Sequence, residues 1–494
     1  MTGGAVNLIN EKCIMIIFGG TGDLAHRKLV PAIYNMHLSG QLPESFALLG
    51  TGRKQKSHKQ YRHELAVSAK KYSSQSFKEK QWETLAGNIY YHDIDLQDNT
   101  GYQRLKETLK ALSPGTNSEG NILYYLALAP QLFSPVSTNL KRNKLNASPY
   151  GWRRLLIEKP FGYNLASARE LNTVITEAFS EENIYRIDHY LGKEMLQNIL
   201  VLRFVNCIFE PLWNNNYIDN IQITASETDG IGTRGRYYDL SGAMRDMVQS
   251  HLFQMLALTA IEPPAQSDPH SVHMEKLNLL KTIQLWPDSP IEEKIVFGQY
   301  NNFRAEQGVS PDSKTETFSA LKLTIDNDRW RGVPVYLRTG KNLGEKIAKI
   351  VIQFKVPSNI DSHILPGSSL ADRSDLPNLL TLKVQPREGV VFQFNIKKPA
   401  TMGEIVPVEM DFCQPCAFLI NTPEAYERLL TDAIMGDKTR FTGWNEIECA
   451  WSIVDNIYQE YNKAGAYLHQ YEPGSNGPQA AIDMLSRDNR RWWE

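Results

Sequence analysis

The sequence predicts an α/β Rossmann-like N-terminal domain followed by a larger α+β C-terminal domain built on a mainly antiparallel sheet. Apolar runs of strand length alternate with polar helical segments up to residue 187, which is typical of a parallel sheet covered by helices. From about Thr315, strand-like runs follow one another with short connections instead. A chain of 494 residues also exceeds what one hydrophobic core usually serves. We therefore predict a Rossmann-like domain over residues 1–187 and a second, α+β domain over 188–494.

Composition and charge exclude several classes of protein. The chain has 42% hydrophobic and 22% charged residues, which is ordinary for a globular protein. Its formal net charge of −2 provides no excess of positive charge for binding nucleic acid or an anionic membrane. Residues 1–10 lack the basic and apolar regions of a signal peptide, and no apolar run is long enough to span a bilayer. We expect a cytoplasmic protein with no nucleic-acid or membrane partner, which meets any anionic ligand with local cations.

The cysteines also favour a reducing compartment, because five of them form an odd and sparse set rather than a disulfide framework. Cys413 and Cys416 form an isolated C-x-x-C pair. A redox or zinc role is one interpretation of this pair. Since no second pair completes a zinc site, incidental spacing is the better interpretation, and we predict no metal.

A glycine turn near the N-terminus carries the first functional motif. The apolar run Cys13–Phe18 is followed by Gly-Gly-Thr-Gly-Asp-Leu-Ala at 19–25 and then by a helical pattern, which Pro31 should kink or restart. Strand, glycine turn and helix form the dinucleotide-binding order, in which backbone N–H groups approach a pyrophosphate. A glycine turn can equally serve only to link a strand to a helix. The candidate coenzyme-binding residues here are Gly19, Gly20, Thr21, Gly22, Asp23 and Leu24.

The end of the second predicted strand, Phe46–Leu49, indicates which coenzyme is bound. An NAD-specific site usually places an acidic residue here to hold the ribose 2′-hydroxyl, but this chain has Arg53 and Lys54. Arg53 suits the additional 2′-phosphate of NADP, whereas Lys54 is as easily a solvated basic residue. One arginine does not exclude NAD, so dual use of the two coenzymes stays open.

Polar side chains follow later strands of the same domain. Further strands are predicted over residues 88–92, 121–129, 154–157 and 183–187, and ligands bind beyond the carboxyl ends of such strands. Lys159 follows one of these ends. The stretch Tyr185–Asn198 contains Arg186, Asp188, His189, Tyr190 and Lys193, which together suit a phosphate or a polyhydroxyl ligand.

The second domain adds a histidine within an apolar helical pattern and a loop with two lysines. Residues Gly242–Ala260 predict one apolar helix that carries Asp246 and His251, and residues five apart lie about 140° around an α-helix, so the two do not share one narrow stripe. A hydrogen-bonded core histidine is the default interpretation of His251. Lys341 and Lys346 lie in a loop between two predicted strands, where an exposed position would be ordinary for Lys346.

Several motifs together resemble one family. The stretch from Arg186 to Lys193, Arg-Ile-Asp-His-Tyr-Leu-Gly-Lys, closely resembles the substrate-binding signature of the glucose-6-phosphate dehydrogenases. The order and spacing of further motifs agree: Gly-x-x-Gly-Asp-Leu-Ala at 19–25, Glu-Lys-Pro-Phe-Gly at 158–162, Tyr-Tyr-Asp and Ser-Gly before the His251 helix, and the loop at 338–346. The resemblance covers nearly the whole chain.

The resemblance implies oxidation of glucose 6-phosphate at C1 with NADP as hydride acceptor. It also implies a homodimer built through the large sheet of the second domain, although both dimers and tetramers occur in the family. It implies that His251 is the base and that Asp188 orients it. His189, Tyr190 and Lys193, with Lys346 as an addition, would bind the phosphate. Glu227, Asp246, Lys159 and Lys341 would hold hydroxyl groups, and Arg53 and Lys159 would also contact the coenzyme.

Three alternative functions fit these residues less well. A glucose-fructose oxidoreductase-like enzyme also has Glu-Lys-Pro after a strand, but it does not explain the signature at 186–193. A sensor that binds NADP and a sugar phosphate without catalysis should lack the base, and His251 is present. A phosphotransferase is disfavoured because the glycine turn lacks the Gly-Lys-Ser/Thr ending of a P-loop.

Overall fold

The computed structural model of the chain describes residues 12–43, 45–116, 120–356, 377–401, 404–413 and 425–494. Residues 1–10 and Cys416 lie outside this set. The described residues form two compact units. The first unit contains residues 12–192, 268–270 and 425–444, and the second contains the remainder. The domain division predicted after residue 187 stays a prediction.

The first unit is built on a six-stranded sheet in the order β3-β2-β1-β4-β5-β6, and every pair is parallel. Buried apolar residues fill the central strands, as a sheet covered on both faces requires. The α/β Rossmann-like prediction is therefore confirmed. The strands are β1 (Cys13–Phe18), β2 (Phe46–Gly52), β3 (Ile89–Asp93), β4 (Ile122–Leu126), β5 (Arg153–Glu158) and β6 (Ile184–Ile187).

The helices of the first unit alternate with these strands. A π-helical turn, Ala25–Leu29, precedes an α-helix that begins at Val30 with Pro31 in its first turn, so the restart predicted from Pro31 is confirmed. The α-helices are Val30–Leu38, His58–Tyr72, Glu79–Ala86, Asn99–Thr116, Phe133–Arg142, Leu165–Ala178 and Ala425–Met435.

The last of these helices comes from a distant part of the sequence. Leu429 and Leu430 are buried in the same apolar cluster as the residues of β1. The Asn35 side-chain amide donates to Glu427 Oε1 at 2.8 Å, and Arg154 Nη1 donates to the Ala433 carbonyl at 3.0 Å. Burial and hydrogen bonds thus hold residues 425–444 within the first unit.

The second unit is built on a ten-stranded sheet, whose main order is β15-β14-β13-β12-β7-β11-β10-β9-β16, with β8 beside β10. The pairs β7/β11 and β9/β16 are parallel and the others are antiparallel, so the mainly antiparallel sheet is confirmed. The strands are β7 (Ile218–Ser226), β8 (Ile283–Leu285), β9 (Ile295–Tyr300), β10 (Phe318–Ile325), β11 (Val335–Gly340), β12 (Ile347–Phe354), β13 (Leu379–Gln385), β14 (Gly389–Lys397), β15 (Ile405–Cys413) and β16 (His469–Tyr471).

One helix predicted for the second unit is wrong in form. The segment Gly242–Ala260 is not one α-helix: Gly242 has φ 66° and breaks the chain direction, Met244–Leu252 is a π-helix, and Phe253–Ala260 is α-helical. Apolar periodicity could not reveal this, since α- and π-helices both bury one side. The other α-helices are Glu194–Val205, Gly235–Ala243, Pro269–Leu280, Trp444–Lys463 and Gln479–Ser486.

No described helix of either unit is both long and apolar enough to cross a membrane.

Candidate active site

The glycine turn of the first unit leaves open backbone at the end of β1. Gly19 has φ 85°, and a Cβ there would collide with the Ala127 carbonyl oxygen. The Gly20 N–H donates to the Thr51 carbonyl at 2.8 Å, and a Cβ on Gly20 would lie 2.7 Å from the Tyr61 hydroxyl oxygen. Both positions therefore require glycine, and the turn can bring its backbone close to an anionic group.

A cavity of about 420 Å³ lies beside this turn. Gly19 and Thr21 line one part of it, and Arg53 lines another. β2 runs three residues beyond the predicted strand, so that Arg53 directly follows its last residue, Gly52, and is exposed. Asp95 and Gln97, which sequence reasoning missed, complete the polar lining. Their position after β3 was the available signal, because ligands gather at the ends of parallel strands.

The remaining residues of the turn differ in exposure. Asp23 is exposed and lies 3.6 Å from the Arg27 guanidinium, one helical turn away. Leu24 is partly buried against the apolar core. Gly22 closes the turn, since its N–H donates to the Gly19 carbonyl at 2.9 Å.

The end of β5 presents Glu158 and Lys159, both of which are partly exposed. Glu158 Oε1 accepts hydrogen bonds from the hydroxyls of Tyr125 at 2.6 Å and Tyr426 at 3.1 Å. Burial raises the pKa of Glu158, although both hydroxyls and the nearby Lys159 act to lower it. Lys159 is partly exposed at the strand end, and its bond to Pro160 is cis.

The end of β6 delivers the residues of the 186–193 signature. Asp188 is 2% exposed, and its Oδ1 accepts from the Tyr190 N–H at 3.0 Å. The rings of His189 and Tyr190 lie edge to face at 5.1 Å. Asp188, His189 and Tyr190 are therefore held together by a tight turn after the strand. Lys193 lies at the N-cap of the helix Glu194–Val205 in the second unit.

Arg186, which the sequence grouped with this cluster, serves the scaffold instead. Its guanidinium donates to both carboxylate oxygens of Glu181, at 2.6 and 2.9 Å, and to Asn172 Oδ1 at 2.6 Å. The side chain is buried, and the guanidinium carbon lies 5.9 Å from the Trp444 ring centre. A buried guanidinium that is bound bidentately to Glu181 and also to Asn172 has little capacity left for a ligand.

In the second unit, Asp246 and His251 share the π-helix Met244–Leu252. Both are buried, with 8% and 0% of their surface exposed. A π-helix repeats its hydrogen bonds from residue i to i+5, so residues five apart follow one another along the axis. The angle of about 140° expected between these two residues assumed an α-helix and therefore does not apply to this segment.

Lys341 is the centre of a buried ionic cluster. β7 and β11 are parallel neighbours. The residues that directly follow them, Glu227 and Lys341, therefore lie at the same end of the sheet, beyond the carboxyl ends of the two strands. The Lys341 ammonium donates to Glu227 Oε2 and lies 3.4 Å from Asp246 Oδ2. Burial lowers the pKa of Lys341, but Asp246 and Glu227 outweigh it and the pKa is raised. Lys341 thus stays charged although it is 3% exposed.

Sequence reasoning missed one aromatic member of this cluster. The Lys341 ammonium lies 5.4 Å from the Tyr238 ring centre, a cation–π contact that stabilises the buried charge. The Tyr-Tyr-Asp motif contains Tyr238 and was therefore an available signal, but in the sequence the motif supported only the assignment of the helix that carries His251. Lys346 is not brought into the cluster: it is exposed and lies 3.9 Å from Asp229 Oδ2.

Family models and relatives match almost the whole chain. The model described as "Glucose-6-phosphate dehydrogenase, NAD binding domain" matches residues 16–198, and the one described as the C-terminal domain matches residues 200–493. A glucose-6-phosphate 1-dehydrogenase of Bacillus subtilis (strain 168) is 43% identical over 492 residues and covers 98% of each chain. Glucose-6-phosphate 1-dehydrogenase 2 of Mycobacterium tuberculosis (strain ATCC 25618 / H37Rv) is 39% identical over 492 residues, covering 97% of this chain and 94% of its own.

Solved structures agree with the sequence matches. A structure titled "Glucose-6-phosphate dehydrogenase in complex with its substrate glucose-6-phosphate" superposes with a TM-score of 0.89 at 30% identity, covering 99% of each chain. The enzyme from Mycobacterium avium superposes with a TM-score of 0.82 at 32% identity, covering 98% of this chain and 99% of its own. Fold, motifs and full-length similarity therefore agree, and the chain belongs to the glucose-6-phosphate dehydrogenase family.

Proposed function

We propose that this chain oxidises D-glucose 6-phosphate to 6-phospho-D-glucono-1,5-lactone, with hydride transfer to NADP. This is the first oxidative step of the pentose phosphate pathway. Family membership and the names of the full-length relatives support the reaction class. The observation that carries the proposal is the buried Lys341 cluster, in which a charged lysine and the carboxylates of Glu227 and Asp246 gather at one sheet edge.

The Lys341 cluster suits a sugar because it offers both a hydrogen-bond donor and hydrogen-bond acceptors to the sugar hydroxyl groups. An ammonium donates to hydroxyl oxygens, while carboxylates accept from hydroxyl hydrogens. We assign Glu227, Asp246 and Lys341, together with Lys159, to the hydroxyl groups. His189, Tyr190 and Lys193 are assigned to the 6-phosphate on the family resemblance. Lys346 is the weakest of these assignments, since it is exposed and paired with Asp229.

We assign proton removal from the C1 hydroxyl to His251. A neutral imidazole accepts a proton near physiological pH, and complete burial keeps the ring away from bulk water. The family resemblance assigns Asp188 to orient this imidazole and to stabilise its protonated form. The base assignment is tested by substitution below.

The glycine turn fits a dinucleotide, because a Cβ on Gly19 or Gly20 would collide with the Ala127 carbonyl oxygen or the Tyr61 hydroxyl, so that only glycine allows the tight turn in which backbone N–H groups can approach a pyrophosphate. The coenzyme would be held by residues 19–24, Arg53 and Lys159, and it supplies the hydride acceptor. We propose NADP as the preferred form. Arg53 lines the cavity beside the turn, no acid follows β2, and a guanidinium pairs with a 2′-phosphate. Asp95, after β3, lines the same cavity, so NAD is included in the test.

The sequence also supports a homodimer in the cytoplasm, and both remain proposals. The family resemblance supports dimerisation through the large sheet. The sparse cysteines and near-neutral charge support the location.

An initial-rate assay with glucose 6-phosphate tests the function directly, with NADP and NAD run in parallel. Reduced nicotinamide forming with NADP alone supports both the reaction and the coenzyme assignment. Comparable rates with both coenzymes retain the reaction and reject strict NADP use. If folded protein binds the sugar phosphate but gives no rate with either coenzyme, the sensor alternative replaces the enzyme.

A further inference from the structure

Glu316 lies two residues before the first residue of β10 and contacts the start of the π-helix that carries Asp246 and His251. Its carbonyl oxygen accepts from the Ala243 N–H at 2.9 Å, and its Oε1 accepts from the Met244 N–H at 3.1 Å. The first N–H groups of a helix have no partner within the helix. Glu316 therefore fixes both the position and the direction of this helix start.

Gly242 allows this close approach. Its φ of 66° is in the region that favours glycine, and a Cβ there would overlap the Glu316 carboxylate, lying 2.7 Å from Cδ. The sharp break at Gly242 and the buried carboxylate are thus parts of one arrangement. π-Helices are rare, and at the start of this one Glu316 supplies acceptors for N–H groups that have no partner within the helix.

Tyr458, on the helix Trp444–Lys463, holds the carboxylate in place. Its hydroxyl donates to Glu316 Oε1 at 2.6 Å, and its ring packs on Phe297 of β9 with ring centres 5.6 Å apart. The Arg245 guanidinium carbon lies 4.4 Å from the centre of the same ring. The Glu316 carboxylate is 4% exposed, so bulk water cannot replace the donor that Tyr458 supplies.

The same helix also anchors the chain just after the π-helix. Gln254 Nε2 donates to Glu446 Oε2 at 3.1 Å, three residues beyond His251. Tyr458 and Glu446 lie twelve residues apart, or about 18 Å along an α-helix. One helix therefore fixes the segment that carries Asp246 and His251 at both of its ends.

We propose that Glu316 and Tyr458 are positioning residues for the reaction, acting through the π-helix on Asp246 and His251. This inference rests on the proposed function. Neither residue is assigned to substrate or coenzyme. Their effect should therefore appear in the rate of the chemical step, because small displacements of a reacting group cost up to about a hundredfold in rate.

The test compares Tyr458→Phe with Tyr461→Phe. Tyr461 is one turn further along the same helix, its ring also packs on Phe297, and its hydroxyl has no hydrogen-bond partner among the described residues. We expect Tyr458→Phe to lower kcat about tenfold, with KM for glucose 6-phosphate and NADP within about twofold. Tyr461→Phe should keep the wild-type kcat. Equal kcat values for the two variants would overturn the proposal.

Amide hydrogen exchange supplies a readout that needs no substrate. We expect residues 243–248 to exchange faster in Tyr458→Phe than in Tyr461→Phe, because the anchor of the helix start is weakened. A fall in kcat without this change would show that Tyr458 does not act through the helix, and would overturn the proposal. If the wild-type protein has no activity on glucose 6-phosphate, the proposed function is rejected instead. The exchange comparison would still show whether Tyr458 stabilises the start of the π-helix.

A second pair of variants tests Glu316 itself. Glu316→Gln keeps a side-chain oxygen that accepts from Met244 and Tyr458, whereas Glu316→Met has similar length but no such acceptor. We expect Gln to retain most of the kcat that Met loses. The same loss in both variants would contradict a role based on hydrogen bonding to the helix start.

Discussion

Lys276 and Glu446 form an ion pair in the interior of the second unit, and we expect its disruption to be costly. The Lys276 ammonium lies 2.8 Å from Glu446 Oε2 and also donates to Gln254 Oε1 at 2.9 Å. His273 Nδ1 lies 2.6 Å from the other carboxylate oxygen. The side chains of Lys276 and Glu446 are 1% and 2% exposed.

The pKa of Glu446 gives the magnitude. Burial raises this pKa, but the charge of Lys276 and the hydrogen bond and charge of His273 outweigh burial and lower it from 4.5 to about 2. At about 1.4 kcal/mol for each pKa unit, the folded state gains about 3 kcal/mol from the ionised carboxylate. Lys276→Met removes the largest favourable contribution and leaves a buried carboxylate, for which losses of about 3 to 5 kcal/mol are typical.

The sign of the pH dependence follows from the lowered pKa. A carboxylate whose folded pKa lies below its unfolded value stabilises the protein fully above the unfolded pKa, near 4.5. That contribution falls as the pH is lowered toward about 2, the folded pKa. Acid should therefore destabilise the wild type more than Lys276→Met over this interval.

Urea denaturation at neutral pH, followed by tryptophan fluorescence, measures the effect. We expect Lys276→Met to lower the free energy of unfolding by about 3 kcal/mol, and the double variant Lys276→Met/Glu446→Gln to recover much of it, since no buried charge remains. Lys276 lies on the helix Pro269–Leu280, and Lys281 is an exposed residue directly after that helix. The variant Lys281→Met is therefore the control. A Lys276→Met variant as stable as this control, or a double variant no better than the single one, would refute the reasoning.

Three further predictions concern the proposed active site. His251→Asn should lower kcat by about 10²- to 10⁴-fold while calorimetry still detects glucose 6-phosphate binding, and near-normal turnover would remove the base assignment. Lys193→Met should raise KM for glucose 6-phosphate about tenfold or more while KM for NADP stays constant, because a charge-assisted hydrogen bond is lost. An unchanged KM for the sugar phosphate would remove Lys193 from the phosphate site. Arg53→Ala should raise KM for NADP about tenfold but leave KM for NAD nearly unchanged, and equal effects on both coenzymes would argue against contact with the 2′-phosphate.

Patterns of a few neighbouring residues were enough to predict the first sheet and the glycine turn. Buried parallel strands appear as short apolar runs, and the glycines of the turn are specified by backbone conformation and close approach. The signature at 186–193 was found for the same reason, because its residues are neighbours in sequence. Arg186 was misassigned, since its partners Glu181 and Asn172 are recognisable only once the helix and strand lie side by side.

Contacts between distant residues decided the rest. Two tryptophans, Trp492 and Trp493, had no explanation in the sequence. In the fold, the indole N–H of Trp492 donates to the Ala481 carbonyl at 2.9 Å, and that of Trp493 donates to Gln353 Oε1 at 2.9 Å. Such a role depends on partners that only the folded chain supplies.

The sequence by itself determined the fold class, the family and most of the residues proposed for the site, because each is encoded by patterns a few residues long. Tertiary structure alone decided that Met244–Leu252 is a π-helix, that Glu316 anchors its start, and that Lys341 is charged within a buried cluster. Glu316 and Met244 are seventy-two residues apart in the chain. Their hydrogen bond exists only when the folded sheet brings β10 beside this helix, and the strength of such buried contacts depends on the exclusion of water that folding produces.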